Sequence, residues 1–478
     1  METAMLSLAA HQQRRQEDCF RVRAHEALEE WLNQLEGQMP ELEGEPPRLM
    51  ALTEAVLQGR SGLTGALVEG LIERRHGRYR VQAEAECPRC GRRLKARPNR
   101  SRTVETLVGP VSLERPYFYC TFCQHGFYPL DEALGLSGGS KQWDVQQAAA
   151  KLALEMPHQR ASTLLGELTD ASMSDCVLHE VVQQMGQVEV LQVCPSAAEI
   201  HQRIAAAAEG RKWKPIVVLA IDAAEVPSRP QTAKGTRPGR KKSRARRRRW
   251  KGVYQEAKGF RFYLVDEERI VQLISWHQVG DEEAFGRALR KVKEAGLIPE
   301  EQVRLCAIAD GAPWIWKWVE ALFPTARQIL DYYHCSGYLH AVADSQYGDD
   351  PVRATQWLEA TLARLFCDEG TGVVWGLQRM QPTSAEAEEA IRKALGYLEK
   401  RLHQVNYHSH RKGGYPLGSG AIESAHRFIG HVRLKRSGTW WYQENSNAIL
   451  ALRCALYNGT LDRVFQLHRD HRNRPPEP

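Results

Sequence analysis

The stretch CAIADGAPWIWKWVEALFP (residues 306–324) contains both kinds of element on which the predicted fold depends. A short apolar run, typical of a buried strand, ends at Asp310. A glycine then breaks the pattern, and apolar residues recur at helical spacing, with Trp314, Ile315 and Trp318 toward one side. The pattern predicts a strand, a sharp turn and a helix that packs on a sheet. Asp310 either makes the turn and caps the helix or serves a functional site.

Strand and helix patterns alternate around this stretch, from residue 211 to residue 345. Their order is strand, strand, strand, helix, strand, helix, strand, helix, with a turn predicted at residues 257–259 inside the second strand segment. This order predicts a sheet that begins with antiparallel strands and continues with parallel ones, covered by helices. An almost wholly helical pattern follows over residues 350–410.

The composition excludes membrane-spanning and disordered proteins. The chain has 478 residues, of which 42% are hydrophobic and 26% charged, enough for several hydrophobic cores. It has no apolar segment of roughly 18 residues and no N-terminal secretion signal, so we expect a location in the cytoplasm. Its 11 cysteines, an odd number, favour reduced thiols over a disulfide framework.

Positive charge is concentrated in one segment. Residues 229–249 (RPQTAKGTRPGRKKSRARRRR) contain 11 Lys or Arg and no acid, whereas the rest of the chain has 54 basic and 58 acidic residues. Such a segment is either a solvated insertion or a contact for a phosphate backbone. For the second function we predict these DNA-binding residues: Arg240, Lys241, Lys242, Arg244, Arg246, Arg247, Arg248 and Arg249.

Four cysteines form two CxxC pairs, Cys87-Pro-Arg-Cys90 and Cys120-Thr-Phe-Cys123, separated by 29 residues that are predicted to contain a β-hairpin. Each pair places two sulfurs on one side of a tight turn, and two such turns complete the tetrahedral four-thiolate site that Zn²⁺ prefers. A redox pair is the alternative, but it needs a single CxxC at the start of a helix. The pattern therefore predicts structural zinc.

Three helical patterns lie between residues 141 and 186. Their order is that of a helix-turn-helix unit, with residues 175–186 as the recognition helix. A small helical bundle gives the same pattern, so both interpretations stand.

Two aspartates end predicted strands, and one glutamate begins a predicted helix. Asp222 ends the first strand, Asp310 ends the fourth, and Glu423 follows a Gly-Ser-Gly cap. Singly, such acids are usually turn or capping residues. In an RNase-H-like layout the first and fourth strands are adjacent and parallel, so both aspartates lie at one edge of the sheet. Clustered carboxylates favour a divalent cation, and Mg²⁺ prefers such oxygen ligands.

These three acids, Asp222, Asp310 and Glu423, are the predicted catalytic and magnesium-binding residues. Two Mg²⁺ or Mn²⁺ ions held by them would activate a water or a 3′-hydroxyl and stabilise the leaving oxygen of a phosphodiester. Other acids near strand ends compete with them: Asp331, Asp266 and Glu225. We place His334 beside the site, where it either packs or contacts the scissile phosphate.

Several long blocks resemble a DDE-type transposase of a bacterial insertion sequence, of the Kra-four type. They extend from about residue 87 to residue 441: the two CxxC pairs, GPVSLERPYFYC, CQHGFYPLDEALGL, AIDAAEV, ADGAPWIWKWVEALFP, ILDYYHCSGYL and PLGSGAIESAHRFIGHVRLKRSGTWW.

The resemblance implies an RNase-H-like catalytic core with an all-helical insertion, and it places the triad on the same three acids. It also implies double-stranded DNA as partner, both terminal inverted repeats and target, bound by a homo-oligomer in the bacterial cytoplasm and nucleoid. The expected multidomain α+β and α/β chain has a helical N-terminal region (1–80), a zinc-binding ribbon-like module (81–136), a helix-turn-helix-like region (137–210), the first part of the core (211–345), the helical insertion (346–412) and the catalytic Glu helix with C-terminal helices (413–478).

Two other functions remain open at this point. A non-catalytic DNA-binding regulator descended from a transposase would keep the zinc module and the basic segment without needing the three acids. A metal-dependent nuclease or junction resolvase would use the same acids without recognising terminal repeats.

Overall fold

The computed structural model describes residues 20–38, 48–230, 252–266 and 269–473. Two compact units are formed, one by Met1–Val182 with Phe465–Pro478 and the other by Gln183–Val464. None of the described helices is long and apolar enough to span a membrane. The finer division into six regions stays a prediction.

The first unit begins with helices and continues with two small antiparallel sheets. The first helices are α1 (residues 20–38), α2 (Leu49–Leu57) and α3 (Arg60–His76). The strands are β1 (Glu84–Glu86), β2 (Arg93–Lys95), β3 (Arg97–Thr106), β4 (Gly109–Cys120) and β5 (His125–Phe127). β1 pairs with β2, and β4 lies between β3 and β5. The helices that follow are α4 (Pro129–Ala133), α5 (Trp143–Glu155), α6 (His158–Leu168) and α7 (Asp175–Met185).

The predicted hairpin is formed by β3 and β4, which pair from Thr106 and Gly109 at the turn. Gly109 has a φ of 116°, and a Cβ there would lie 2.8 Å from the Ser61 side chain, so the turn requires glycine for two reasons. The inner face of the hairpin packs on α3 through Val104, Val111 and Leu113, with Val68 and Ile72 from the helix.

The second unit contains a mixed five-stranded sheet with the order β10-β9-β6-β7-β8. Its strands are β6 (Ile216–Ser228), β7 (Val253–Asp266), β8 (Arg269–Val279), β9 (Arg304–Ala309) and β10 (Arg327–Leu330). β6, β7 and β8 are antiparallel, whereas β6, β9 and β10 are parallel. This confirms the predicted antiparallel start and parallel continuation. The turn predicted at residues 257–259 is wrong, because β7 runs through them without interruption.

Helices surround this sheet and fill the rest of the unit. They are α8 (Val190–Val193), α9 (Ala197–Ala208), α10 (Glu282–Glu294), α11 (Pro313–Leu322), α12 (Tyr332–Tyr347), α13 (Pro351–Phe366), α14 (Gly370–Arg379), α15 (Ala385–Leu398), α16 (Tyr407–Lys412), α17 (Gly420–Ala425), α18 (Val432–Leu434) and α19 (Gln443–Asn458). The last helix, α20 (Leu461–Asn473), belongs to the first unit from Phe465 onward. A π-helical turn, His426–His431, follows α17 directly. The helical pattern predicted for residues 350–410 corresponds to α13–α16.

The helix in residues 306–324, α11, packs as its apolar spacing predicts. Ile315 and Trp318 are buried, while Trp314 is half-buried against Phe285 of α10. α10 approaches α11 closely at Gly286, where a Cβ would lie 2.1 Å from the Trp318 ring. The absence of a side chain at this one position lets the large indole fit between two helices.

Gly286→Ala is expected to lower the free energy of unfolding by about 1–3 kcal/mol, because the added methyl group overlaps the Trp318 ring. Gly376→Ala in α14 is the matched control, since no described atom lies within 4 Å of the position its Cβ would take. There alanine should leave stability unchanged or raise it by up to about 1 kcal/mol. Urea unfolding followed by circular dichroism measures both, and equal effects would contradict the proposed packing.

Candidate functional site

The four predicted zinc ligands lie together in the first unit. Cys87 and Cys90 lie between β1 and β2, Cys120 ends β4, and Cys123 precedes β5. Their sulfurs all lie within 4.8 Å of one another. The first turn closes through Gly91, whose N–H donates to the Cys87 carbonyl at 2.9 Å and whose φ is 69°. Two sequence-distant turns thus present their sulfurs to one point.

The sulfur spacing fits a zinc ion. Sγ of Cys90 and Sγ of Cys120 are 3.7 Å apart, and a tetrahedron with Zn–S bonds of about 2.3 Å requires about 3.8 Å. The Cys123 backbone N–H lowers the pKa of the Cys120 thiol to about 7, whereas a hydrogen bond with Cys90 raises the pKa of Cys123 to about 12. Negative charge is therefore already favoured on one sulfur, and the quartet can hold Zn²⁺.

Cys123→Ser is expected to remove bound zinc from the purified protein, because three thiolates hold the ion much more weakly than four. Cys176→Ser in α7 changes an exposed cysteine outside the quartet and should retain zinc. Elemental analysis after gel filtration gives the zinc content of each variant. Zinc retained by Cys123→Ser at the wild-type level, or absent from the wild type, would contradict the assignment.

In the second unit, the parallel pairing of β6 with β9 brings two of the predicted catalytic acids together. Ile221 pairs with Ala309, and the next residues are Asp222, inside β6, and Asp310, just after the end of β9. The predicted strand end at Asp222 is wrong, because β6 continues to Ser228 in its antiparallel pairing with β7; only the parallel pairing with β9 ends there. One oxygen of each carboxylate is used locally: Oδ1 of Asp222 accepts the Ala223 N–H at 2.7 Å. Asp310 Oδ1 accepts the N–H of the residue two positions later at 2.9 Å. The other oxygens can serve a ligand.

The pKa of the Asp310 carboxyl is raised by burial and by a neighbouring negative charge. Burial raises the pKa of its carboxyl, and the charge of Asp222 raises that pKa further. The backbone N–H of Ala312 and the positive potentials of His334 and Arg401 oppose this rise. The described His334 side chain is exposed, and the place predicted for it beside the site stays a prediction.

Glu423 lies in α17, which packs against β6 and β7. Arg261 of β7 donates to the Ala421 carbonyl at 2.6 Å and fixes the start of this helix. One turn after Glu423, Nε2 of His426 lies 3.4 Å from Oδ2 of Asp222. Among the described residues, however, only the four cysteines bring three or more ligand atoms within 4.8 Å of one another. The structure therefore packs the helix of Glu423 beside the strand of Asp222, while the carboxylates of Asp222, Asp310 and Glu423 do not all lie within 4.8 Å of one another.

Two competing acids have other roles. Asp331 is 1% exposed and accepts hydrogen bonds from the backbone N–H groups of His334 and Ser419. It caps α12 and holds the loop before α17. Asp266 forms an ion pair with Arg211 at the opposite end of β7, so its predicted place near the aspartate edge is wrong. The third, Glu225, is exposed further along β6.

Two histidines that the sequence analysis does not name, His277 and His426, also lie beside Asp222. Asp222 pairs with Gly259 on β7, and Gly259 pairs with His277 on β8, so the three form a row across the sheet. A Cβ on Gly259 would lie 2.4 Å from the His277 ring. That ring meets the His426 ring edge to face at 4.8 Å. Glycine at 259 therefore makes room for a ring pair that restricts the Asp222 carboxylate.

His277 is a neutral packing ring. Burial lowers the pKa of its imidazole well below the usual range, and the potential of His426 lowers it further. Neither ring nitrogen has a hydrogen-bond partner among the described groups. Only His426 has a sequence signal, since its spacing of three residues from Glu423 places both toward the same side of a helix.

The turn after Asp310 is tied to the helical region. Arg401, just after α15, donates to the carbonyl groups of Gly311 and Tyr397. A Cβ on Gly311 would lie 2.3 Å from the Tyr397 ring. Glycine is needed at position 311 because the Tyr397 ring packs closely against it, not because the backbone adopts an unusual φ.

The eight predicted DNA-binding residues, from Arg240 to Arg249, lie outside the described residues. The described strands still locate the ends of this basic segment, because Ser228 pairs with Val253. The chain thus leaves and re-enters the sheet at one place.

Asp310→Asn is expected to raise the free energy of unfolding at neutral pH without divalent metal. Because the folded-state pKa is raised, this carboxyl stabilises the fold when protonated, and the contribution is lost as pH rises through that pKa. Asparagine keeps the acceptor for Ala312 without the charge. Urea unfolding should show the gain at pH 7 and its loss near pH 3, below the usual Asp pKa of about 3.9. Asp349→Asn, at an exposed carboxyl, serves as control, and an equal gain there would contradict this explanation.

Comparison with known proteins identifies the family. The sequence matches an uncharacterised protein family, UPF0236, over residues 52–470. No curated protein matches the chain with significance. Because the match includes both the cysteine quartet and the aspartate edge, the chain belongs to the UPF0236 family.

Proposed function

We propose that the chain is a DNA transposase that hydrolyses phosphodiester bonds and transfers strands at the ends of an insertion sequence. The observation that carries the proposal is the place where the parallel pairing of β6 with β9 ends, with Asp222 inside β6 and Asp310 just after β9; the helix of Glu423 packs on β6 beside it. Three antiparallel strands followed by two parallel ones also agree with the RNase-H-like core that the resemblance implies.

The donor set fits a hard divalent cation. Asp222, Asp310 and Glu423 offer carboxylate oxygens, and two of these carboxylates are close enough for their charges to interact. We assign Mg²⁺ or Mn²⁺ to these three residues; when bound, the ions would supply activation of a water or 3′-hydroxyl and stabilisation of the leaving oxygen. His426 orients Asp222, while Asp331 holds the loop that begins the Glu423 helix.

The basic segment supports DNA as the substrate. Its described ends, Ser228 and Val253, pair six residues beyond Asp222 along β6, or about 20 Å at the rise of a strand. The 11 basic residues between 229 and 249 are thus tethered to the strand that carries a catalytic acid. They supply sequence-independent attraction for phosphates. A homo-oligomer on DNA is proposed because two ends must be joined.

The proposal predicts metal-dependent cleavage that requires Asp310. Duplex DNA carrying the candidate inverted repeats should be cut and joined by the wild type with Mg²⁺ or Mn²⁺. Asp310→Ala should lower the rate at least about a hundredfold, or about 3 kcal/mol in the barrier, because a metal ligand is lost. Gel electrophoresis of end-labelled DNA measures both steps.

Glu225→Gln is the control, since this exposed acid lies on β6, three residues beyond Asp222, and its change should leave the rate unchanged. Equal cleavage by wild type and Asp310→Ala would contradict the triad. Cleavage without joining or preference for repeats would indicate a nuclease or resolvase. Tight binding without any cleavage would indicate a regulator.

A further inference from the structure

A second basic surface lies in the first unit, next to the cysteine quartet. Residues 89–100 contain six basic residues and no acid. All six are exposed, and no described carboxylate forms an ion pair with them: Arg89, Arg92, Arg93, Lys95, Arg97 and Arg100. Glu84 and Glu86 face two of them across the β1–β2 pair, so the arginines outside this pair carry the uncompensated charge.

Three of these arginines stack on aromatic rings. The guanidinium of Arg92 lies 3.7 Å from the centroid of Phe122. Arg97 lies 4.9 Å from the Tyr119 centroid, and Arg100 lies 4.4 Å from that of Tyr117. Stacking holds the planar guanidinium groups in place while their N–H donors remain directed outward. The side chains therefore lose less conformational entropy when they bind an anion.

A β-bulge aligns two of these pairs. Arg97 pairs with Tyr117, and Asn99 pairs with Pro116, so Pro98 is the extra residue on β3. Side chains alternate along a strand, and a spacing of three would place Arg97 and Arg100 on opposite faces. The inserted residue restores a common face. Each arginine then stacks on the β4 tyrosine two positions beyond its own partner.

The remaining stack, Arg92 on Phe122, links the two CxxC turns of the cysteine quartet. Arg92 directly follows the first CxxC turn, and its carbonyl accepts the Cys87 N–H at 2.9 Å. Phe122 lies inside the second turn, between Cys120 and Cys123, and is 65% exposed. The pair is therefore positioned by the same four sulfurs that can hold zinc.

We propose that Arg92, Arg97 and Arg100 form a rigid contact surface for the phosphate backbone of double-stranded DNA. The inference rests on the proposed function for the identity of the polymer, but the contact itself is independent of the carboxylates. Because guanidinium groups already cover the rings, these rings are not free to stack on unpaired bases, as single-strand binders require. Fixed, outward-facing donors instead match a row of phosphates and give binding without base specificity.

The test measures the salt dependence of binding. Full-length protein and a fluorescein-labelled duplex of arbitrary sequence are titrated by anisotropy between 50 and 200 mM KCl, without added divalent metal. The triple variant Arg92→Gln, Arg97→Gln, Arg100→Gln should reduce the slope of log K against log [salt] by about 2.7, or about 0.9 for each lost phosphate contact. An Arg→Lys triple variant keeps the charge and should retain most of the slope while binding more weakly, since stacking is lost.

The control carries the same change in net charge elsewhere. Arg364→Gln, Arg379→Gln, Arg392→Gln changes three exposed arginines of the second unit and should leave the slope unchanged. Equal slopes for both triple variants, with wild-type zinc content, would overturn the proposal. Tighter wild-type binding to single-stranded DNA or duplex RNA of equal length would overturn the assignment to double-stranded DNA. A selective slope loss in a protein that cleaves no DNA would keep this surface and refute the transposase.

Discussion

The pairing of β6 with β9 is the constraint on which the second unit depends. It sets Asp222 and Asp310 side by side where the parallel pairing ends, so their charges repel, and burial disfavours ionisation of Asp310. Nearby groups offset only part of this cost: backbone N–H groups hold one oxygen of each acid, and Arg401 adds positive potential. A fold that keeps two such carboxylates together stores a destabilising interaction that a divalent cation would relieve.

The elements around Asp222 and Asp310 position the helix of Glu423 rather than stabilise these two carboxylates. Asp331, buried at the end of β10, bonds both the start of α12 and the loop before α17. The Tyr332 N–H donates to the Leu417 carbonyl at 2.9 Å beside it, and Arg261 fixes the first turn of α17. These contacts join segments that are far apart in the chain. They determine where α17, the helix that contains Glu423, begins. The π-helical turn that follows brings His426 against Asp222.

The sequence predicted those features that depend on local pattern. Alternating strand and helix patterns predicted the sheet and the strand that ends before Asp310, whereas the continuation of β6 past Asp222 was missed because it depends on pairing with β7. Paired CxxC turns gave the cysteine quartet. Features that depend on long-range contacts could not be predicted from the sequence. Asp331 has the pattern of a site acid, but its carboxylate accepts the backbone N–H of Ser419. Gly259 has the pattern of a turn residue, but it lies in a strand against the His277 ring. The three acids show the remaining limit: the helix of Glu423 packs on β6, but the carboxylates of Asp222, Asp310 and Glu423 do not all lie within 4.8 Å of one another.

Each of the two units contains one segment in which positive charge is concentrated. The soft thiolates of the cysteine quartet suit Zn²⁺, whereas carboxylate oxygens such as those of Asp222 and Asp310 would suit a harder ion. Lys and Arg concentrate in residues 89–100 and 229–249, with 6 and 11 of them. Outside both segments 48 basic residues remain against 58 acidic ones. The positive charge is therefore concentrated in these two segments against an acidic remainder: one lies beside the cysteines, and the other is attached to the strand of Asp222.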